Sequence, residues 1–244
     1  MTRTLARLLA GVAALVLVCG LTACSSEDGE SPPRSVTTEE SQALASMRFR
    51  NFDAGTRRVS FDLADGGAAT HFDGWYDFVA HIGYGLLAQP DDGALIAWTP
   101  TSIGVHEGAA GEAPLPPPPA AEWASGSLDP GGVRLHALLS VISALGADRP
   151  DNPLLLQQSG ALWLADEEIG GEPVTVFAGP ASDTPIEPGQ TADAEAANTR
   201  YWVDAGGLLL RADVRLGDDA DWTTLTFGPG ESLSLRGALE ATAR

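Results

Sequence analysis

Apolar and polar positions alternate along most of the chain and predict β-strands. Val59, Phe61 and Leu63 alternate with polar neighbours, which is the period-two pattern of a half-buried strand. Further strand-like runs lie at residues 71–78, 82–88, 95–99, 102–106, 161–165, 173–178, 201–204, 208–216 and 222–227. Glycine-containing turns separate neighbouring runs, for example at residues 91–93 and 170–171. This regular spacing predicts antiparallel strands.

The most regular stretch is TRYWVDAGGLLLRADVRL, which runs from Thr199 to Leu216. The glycines at 206 and 207 predict a hairpin turn between two strands. The alternation after the turn predicts one face of the second strand, made by Leu208, Leu210, Ala212, Val214 and Leu216.

Three stretches change to the spacing of helices. Thr37 and Glu40 form the signature of a capping box in front of Leu44 and Met47. Asp129 and Pro130 are typical of an N-cap and a first helical position. The helix predicted after them has an apolar face made of Leu135, Leu138, Leu139, Ile142 and Leu145. A short helix is also predicted at residues 154–158.

The order of these elements predicts an α+β fold with a large antiparallel sheet and a few helices packed on one face. The proline run at residues 115–119 cannot join a sheet, because proline lacks a backbone donor. We interpret it as a rigid crossover between the sheet and a helix, with a docking motif as the alternative.

The N-terminal pattern predicts a lipoprotein signal. Arg3 and Arg7 precede an apolar run at residues 8–23, which is short for a membrane span and typical of a secretory signal. The sequence Leu-Thr-Ala before Cys24 matches a bacterial lipobox. We therefore expect residues 1–23 to be removed and Cys24 to carry a diacylglyceryl group and acyl chains such as palmitate. The alternative is an ordinary signal peptide with a chance cysteine.

Composition limits the partners of the mature chain. The net charge is −19, and removal of the signal with its two arginines makes it more negative. This acidity makes nucleic acid and anionic headgroups poor partners. All 14 basic residues are arginine, which indicates a high-GC, actinobacterium-like genome. Residues 24–36 are polar and proline-containing, as expected of a tether, and residues 37–244 are long enough for a single domain.

No catalytic or metal-binding pattern stands out in the sequence. The four histidines do not share metal-ligand spacing on one element, and the sequence contains no nucleophile elbow, phosphate loop or HExxH motif. With Cys19 in the signal and Cys24 lipidated, no thiol nucleophile remains. We predict no catalytic residue, no metal and no cofactor.

The six tryptophans allow two interpretations. Most lie in predicted strands, where they pack in a core or on a sheet surface. Alternatively, they contribute to an apolar cavity for a lipid.

The lipobox, tether, meander, amphipathic helix and closing hairpin YWVD…GLLLR together resemble the actinobacterial envelope lipoproteins of the LppX/LprG kind. More distantly, the chain resembles the LolA-like lipoprotein-carrier fold. The resemblance implies a curved antiparallel sheet, or half-barrel, with helices on its concave face and an apolar cavity between them. It also implies a carrier and not an enzyme.

From this resemblance we predict a protein anchored by lipid to the extracytoplasmic face of the cell membrane that binds a lipid or lipidated molecule. The ligand-binding residues would be Phe61, Trp75, Tyr84, Trp98, Leu138, Leu139, Ile142, Leu145 and Trp202. The alternative is an envelope scaffold with a filled core and no ligand, and a hydrolase is the least favoured class. The sequence leaves the ligand's identity and the oligomeric state open.

Overall fold

Twelve strands pair edge to edge into one antiparallel sheet in the computed structural model, which describes residues 32–65, 68–89, 92–180, 192–216 and 221–242. The strands are β1 (Arg34–Ser35), β2 (Thr56–Asp65), β3 (Ala68–Asp77), β4 (Ile82–Ala88), β5 (Gly93–Trp98), β6 (Ser102–Glu107), β7 (Ala124–Ser127), β8 (Leu162–Ile169), β9 (Glu172–Ala178), β10 (Thr199–Asp204), β11 (Leu209–Arg215) and β12 (Trp222–Glu231). Their order is β1-β8-β9-β10-β11-β12-β2-β3-β4-β5-β6-β7, so the sheet is open and not closed into a barrel.

Four α-helices accompany the sheet in the part of the chain that the structure describes. They are α1 (Thr38–Asp53), α2 (Arg134–Ala144), α3 (Pro153–Gln158) and α4 (Arg236–Thr242). The predicted α+β class, with a large antiparallel sheet and a few helices, is confirmed. None of the helices in the described ranges is both long and apolar enough to cross a membrane.

The capping box at the start of α1 is present. Thr37 Oγ1 accepts a hydrogen bond from the backbone N–H of Glu40 at 3.2 Å, and the Glu40 carboxylate accepts one from the Thr37 N–H at 2.8 Å. The Arg34 guanidinium binds the same carboxylate at 2.7 Å and, with these N–H contacts, lowers the pKa of Glu40 to about 2. The short strand β1 is thereby tied to the first turn of α1.

Helix α2 begins later than the sequence pattern predicted. Asp129 and Pro130 lie in a turn, where the Asp129 carboxylate accepts a hydrogen bond from the Gly132 N–H at 3.2 Å. The helix begins at Arg134, and Val133 provides no side-chain cap. Two consecutive glycines disfavour a helix, and the aspartate side chain offers the backbone an alternative hydrogen bond. The predicted N-cap at Asp129 is therefore wrong.

The two faces of the sheet carry separate apolar clusters. In β5, Ile96 and Trp98 belong to the main core with α1 and α2, whereas Leu95 and Ala97 pack on the opposite face. We call the first the helix-layer face and the second the outer face. Helix α4 packs on the outer face through Ala238 and neighbouring residues, and Leu235 just before the helix packs there too. This position differs from the expected arrangement, in which the helices pack on one face.

A register shift in the closing hairpin changes which leucine enters the core. Between Trp202 and Val203 the pairing slips by one residue, so that Val203 lies opposite Leu209. Leu209 is fully buried in the main core, and Leu210 packs beside Trp202 on the outer face. The predicted face through Leu210 is therefore wrong at that position, because simple alternation does not anticipate a β-bulge.

One charged side chain is completely buried beneath the helices. The guanidinium of Arg57 in β2 donates to Asn51 Oδ1 at 2.6 Å, to the Leu209 carbonyl at 2.7 Å and to the Gly228 carbonyl at 2.8 Å. Burial lowers its pKa to about 10, so the group remains charged at neutral pH. Asn51 in turn donates to the Leu145 carbonyl at 2.7 Å. Arg57 and Asn51 thus connect α1, the end of α2 and three strands.

The proline run and Pro114 just before it lie on the surface, and the segment is fastened at two points. The Tyr84 hydroxyl donates to the Pro114 carbonyl at 2.7 Å, and the Trp123 indole donates to the Pro118 carbonyl at 3.1 Å. The run connects β6 to the edge strand β7, which the sequence pattern did not predict. The contacts favour a crossover, but the crossover joins two strands of the sheet, so the prediction that it leads from the sheet to a helix is wrong.

Candidate functional site

The structure divides the sequence-predicted ligand residues between the two faces. Phe61, Trp98, Leu138, Leu139, Ile142 and Leu145 belong to the main core on the helix-layer face. Trp75, Tyr84 and Trp202 lie on the outer face, where Tyr84 is buried near α4 and Trp202 packs beside β9. These three side chains cannot line a cavity between the sheet and α2, so the prediction that they do is wrong.

Each of the three outer-face aromatics has its own polar partner. The Trp202 indole donates to the Glu167 carboxylate at 2.7 Å, and the Arg211 guanidinium lies 4.2 Å from its ring centre. The Trp75 indole donates to Glu231 at 3.1 Å. The Tyr84 hydroxyl donates to the Pro114 carbonyl at 2.7 Å, and burial raises the pKa of this phenol to about 12. These contacts explain the aromatics as packing on a sheet surface.

The space between the sheet and α2 is filled by aromatic side chains. Phe72 stacks on Phe61 with ring centres 4.9 Å apart, and its edge meets Trp98 at 5.6 Å. Trp98 donates a 3.3 Å hydrogen bond to Ser143 of α2. Leu138, Leu139 and Ile142 are fully buried against this cluster. Five of the six predicted core-face residues therefore serve as packing.

A pocket of about 650 Å³ opens instead beside this filled core, where α1, the end of α2, α3 and β10 meet. This volume is within the range typical of small-molecule sites. Leu145 is the one predicted ligand residue that lines it. The lining comprises Leu44, Met47, Arg48, Val141, Ala144, Leu145, Asp151, Asn152, Leu155, Leu156, Ser159, Pro180, Thr199 and Tyr201.

Helix α3 forms one wall of the pocket because of its local sequence. Asn152 caps the helix by accepting a hydrogen bond from the Leu154 N–H at 3.0 Å, and Pro153 occupies the first turn. Three consecutive leucines follow, and a helix of little more than one turn cannot bury all of them. Leu156 packs toward the core, while Leu154 and Leu155 are 56% and 55% exposed.

An ion pair lines the pocket next to the start of α3. Arg48 Nη1 binds Asp151 Oδ1 at 3.0 Å, and Arg48 Nε donates to the Ala144 carbonyl at 2.8 Å. The backbone N–H of Asp151 also donates to the Ala45 carbonyl at 2.9 Å. The loop before α3 is thereby fixed to α1. Both charged side chains remain about one third exposed, at 36% and 34%.

Tyr201 reaches the pocket from β10. Burial raises the pKa of its phenol above the usual value, while hydrogen bonding with Thr199 and the charge of Arg48 act in the opposite direction. The phenol is therefore neutral at physiological pH. Sequence analysis placed Tyr201 in the closing hairpin without a role, and the run of three leucines in a short helix was the available signal for this site.

The arrangement is suited to binding. Within the described ranges, no three histidine, cysteine, aspartate or glutamate side chains form a group that could hold a metal ion. Two histidines pair with single carboxylates elsewhere, His71 with Asp62 at 2.8 Å and His106 with Glu122 at 3.2 Å. The pocket itself combines a mainly apolar lining with a few polar groups, which is the composition of many small-molecule sites.

Solved structures that are similar to this chain include the following two. The crystal structure of LprF from Mycobacterium bovis is 13% identical, with a TM-score of 0.47, over 83% of this chain and 98% of that one. A putative outer membrane lipoprotein-sorting protein domain from Vibrio parahaemolyticus is 11% identical, with a TM-score of 0.28, over 84% and 100%. No protein-family model and no curated protein matches the sequence. Both descriptions name the kinds of protein that the sequence resembles, but similarity this weak supports no function.

Proposed function

We propose that this protein is a lipid-anchored, extracytoplasmic binding protein that holds an apolar ligand in the pocket between α1, α2, α3 and β10. The observation that carries the proposal is the pocket itself. It has a volume of about 650 Å³ and a mainly apolar lining, and it lies beside a core that is otherwise closely filled.

The walls of the pocket support an apolar ligand. Leu44 and Met47 are almost fully buried at its base, whereas Leu155 is more than half exposed. Burial of the exposed part of a leucine side chain favours binding, since removal of apolar area from water contributes about 25 cal/mol per Å². The ligand would therefore complete the packing that α3 leaves unfinished.

Anchoring at Cys24 is part of the same proposal. Cys24 and the apolar run before it lie outside the described residues, so the support is the lipobox sequence alone. Two or more acyl chains on this cysteine would hold the protein stably at the cytoplasmic membrane.

Native mass spectrometry of the full-length protein, released from detergent, tests ligand binding. Ala144 is an exposed pocket residue, so Ala144→Trp would fill the pocket without disturbing the core. We expect an apolar molecule to accompany the wild type and to be lost from this variant. Ala80→Trp, at an exposed alanine outside the pocket, is the matched control and should retain the molecule.

The second candidate function is an envelope scaffold that binds no ligand. The filled aromatic core between the sheet and α2 favours it. If no molecule accompanies the wild type, or if both tryptophan variants retain it equally, the ligand-binding proposal fails and the scaffold is preferred.

A further inference from the structure

We propose that the pocket selects an amphiphile with an uncharged, hydrogen-bonding head group, because the polar groups that line the pocket form a set that is neutral overall. This inference rests on the proposed function, since it concerns the ligand of the same pocket. It adds the chemical class of the head group.

The two charges that line the pocket neutralise each other. Arg48 and Asp151 are paired at 3.0 Å, and they are exposed to nearly the same extent. A carboxylate or phosphate head would be attracted by Arg48 but repelled by Asp151. A quaternary ammonium head would be attracted by Asp151 but repelled by Arg48. Neither kind of charged head finds an unpaired opposite charge, so each would lose hydration without full compensation.

The remaining polar groups of the lining are uncharged donors and acceptors. They are the Tyr201 phenol, the Thr199 and Ser159 hydroxyls and the Asn152 amide. The phenol stays protonated at neutral pH because burial raises its pKa. The Asn152 carbonyl caps α3, and its amide nitrogen is a donor. The Ser159 hydroxyl donates to the Leu155 carbonyl at 2.7 Å, so its oxygen serves as an acceptor. Hydroxyl, ester and amide heads match such a set.

The charge of the whole protein favours the same class. At a net charge of −19, the chain repels anions at long range, and this repulsion disfavours free fatty acids and acidic lipids before they reach the pocket. The apolar side chains of the lining accommodate an acyl chain. A neutral single-chain lipid, of the monoacylglycerol type, combines both features.

Photo-crosslinking in membranes that carry the full-length protein tests this inference. Three probes share one diazirine-labelled hydrocarbon chain and differ in the head group. They are a monoacylglycerol, a fatty acid and an alkyltrimethylammonium. Peptide mapping by mass spectrometry locates the crosslinks. We expect peptides from α1 and α3 to be labelled preferentially by the monoacylglycerol probe.

Two variants remove one charge each and should shift the preference in opposite directions. Asp151→Asn leaves Arg48 without its carboxylate partner and should raise the ratio of fatty-acid to ammonium labelling by about fivefold. This is the size of effect expected for an interaction between partly exposed charges. Arg48→Gln should lower the same ratio by a similar factor. Opposite shifts distinguish a role in head-group selection from a loosened α3, since loosening would affect both probes alike.

The matched control is Asp73→Asn on the outer face. Asp73 pairs with Arg58 and is 36% exposed, close to the 34% of Asp151, so the change in charge and exposure is the same away from the pocket. It should leave the ratio unchanged. Labelling of the pocket by all three probes without preference overturns this inference and leaves ligand binding intact. If no probe labels pocket peptides, the proposed function itself fails.

Discussion

Two adjacent arginines show how strongly the role of a residue depends on its surroundings. Arg57 is fully buried and gives its hydrogen bonds to one side-chain amide and two backbone carbonyls. Arg58 points to the outer face, where it pairs with Asp73 and remains half exposed. The alternation that predicts the strand, at Val59, Phe61 and Leu63, does not distinguish a buried cation from a surface one among the arginines before it.

Replacement of Arg57 by Met should lower the free energy of unfolding by about 3 kcal/mol or more, because three buried acceptors lose their donor at once. Arg58→Met removes a half-exposed ion pair and should cost less than about 1 kcal/mol. Equilibrium urea unfolding of the two variants measures the difference. Equal losses would show that the buried hydrogen bonds of Arg57 do not stabilise the fold.

At the scale of elements, α3 was predicted from sequence almost at its observed bounds, residues 154–158 against Pro153–Gln158. Its position could not be predicted in the same way. The loop before α3 is fixed to α1 by the ion pair between Arg48 and Asp151, two residues separated by about a hundred positions in the chain. Local periodicity carries no information about such a contact, because it records only neighbours along the chain.

Leu155 and Leu154 provide a matched pair on this helix. They have nearly equal exposure, but only Leu155 lines the pocket. Leu155→Gln should weaken binding of an apolar probe by about tenfold, because burial of a leucine contributes about 1.5–3 kcal/mol and part of this one is already buried. Leu154→Gln should leave the affinity unchanged. A fluorescent fatty-acyl probe titrated against the two variants measures both affinities, and equal weakening would place the ligand elsewhere.

At the scale of the whole molecule, the open sheet separates two kinds of surface. One face supports α1 and α2 with a filled core and a pocket at its side, and the other carries α4 and a separate set of packed aromatic side chains. The division explains why a cavity lined by Trp75, Tyr84 and Trp202 together with α2 does not form. Residues that alternate along a strand point to opposite faces, so neighbouring aromatics in sequence are often on opposite sides.

The proposed anchor also belongs to the whole molecule. In cells supplied with an alkyne-tagged fatty acid, we expect the wild type to be labelled and Cys24→Ser to lose the label, because the acyl acceptor is gone. Cys19→Ser, in the same stretch, is the control and should be labelled like the wild type. Label on Cys24→Ser, or its absence from all three proteins, would contradict lipidation at Cys24.

The sequence by itself determined the α+β class, most strand bounds, the capping box of α1 and the apolar face of α2. These features depend on residues close together in the chain, where periodicity and capping chemistry act directly. The tertiary structure alone decided that Leu209 and not Leu210 enters the core, that Arg57 is buried, and that the open space lies beside α3 and not beneath α2. Each of these depends on how distant segments pack, and packing is decided by shape and hydrogen bonding between elements and not by the pattern within one.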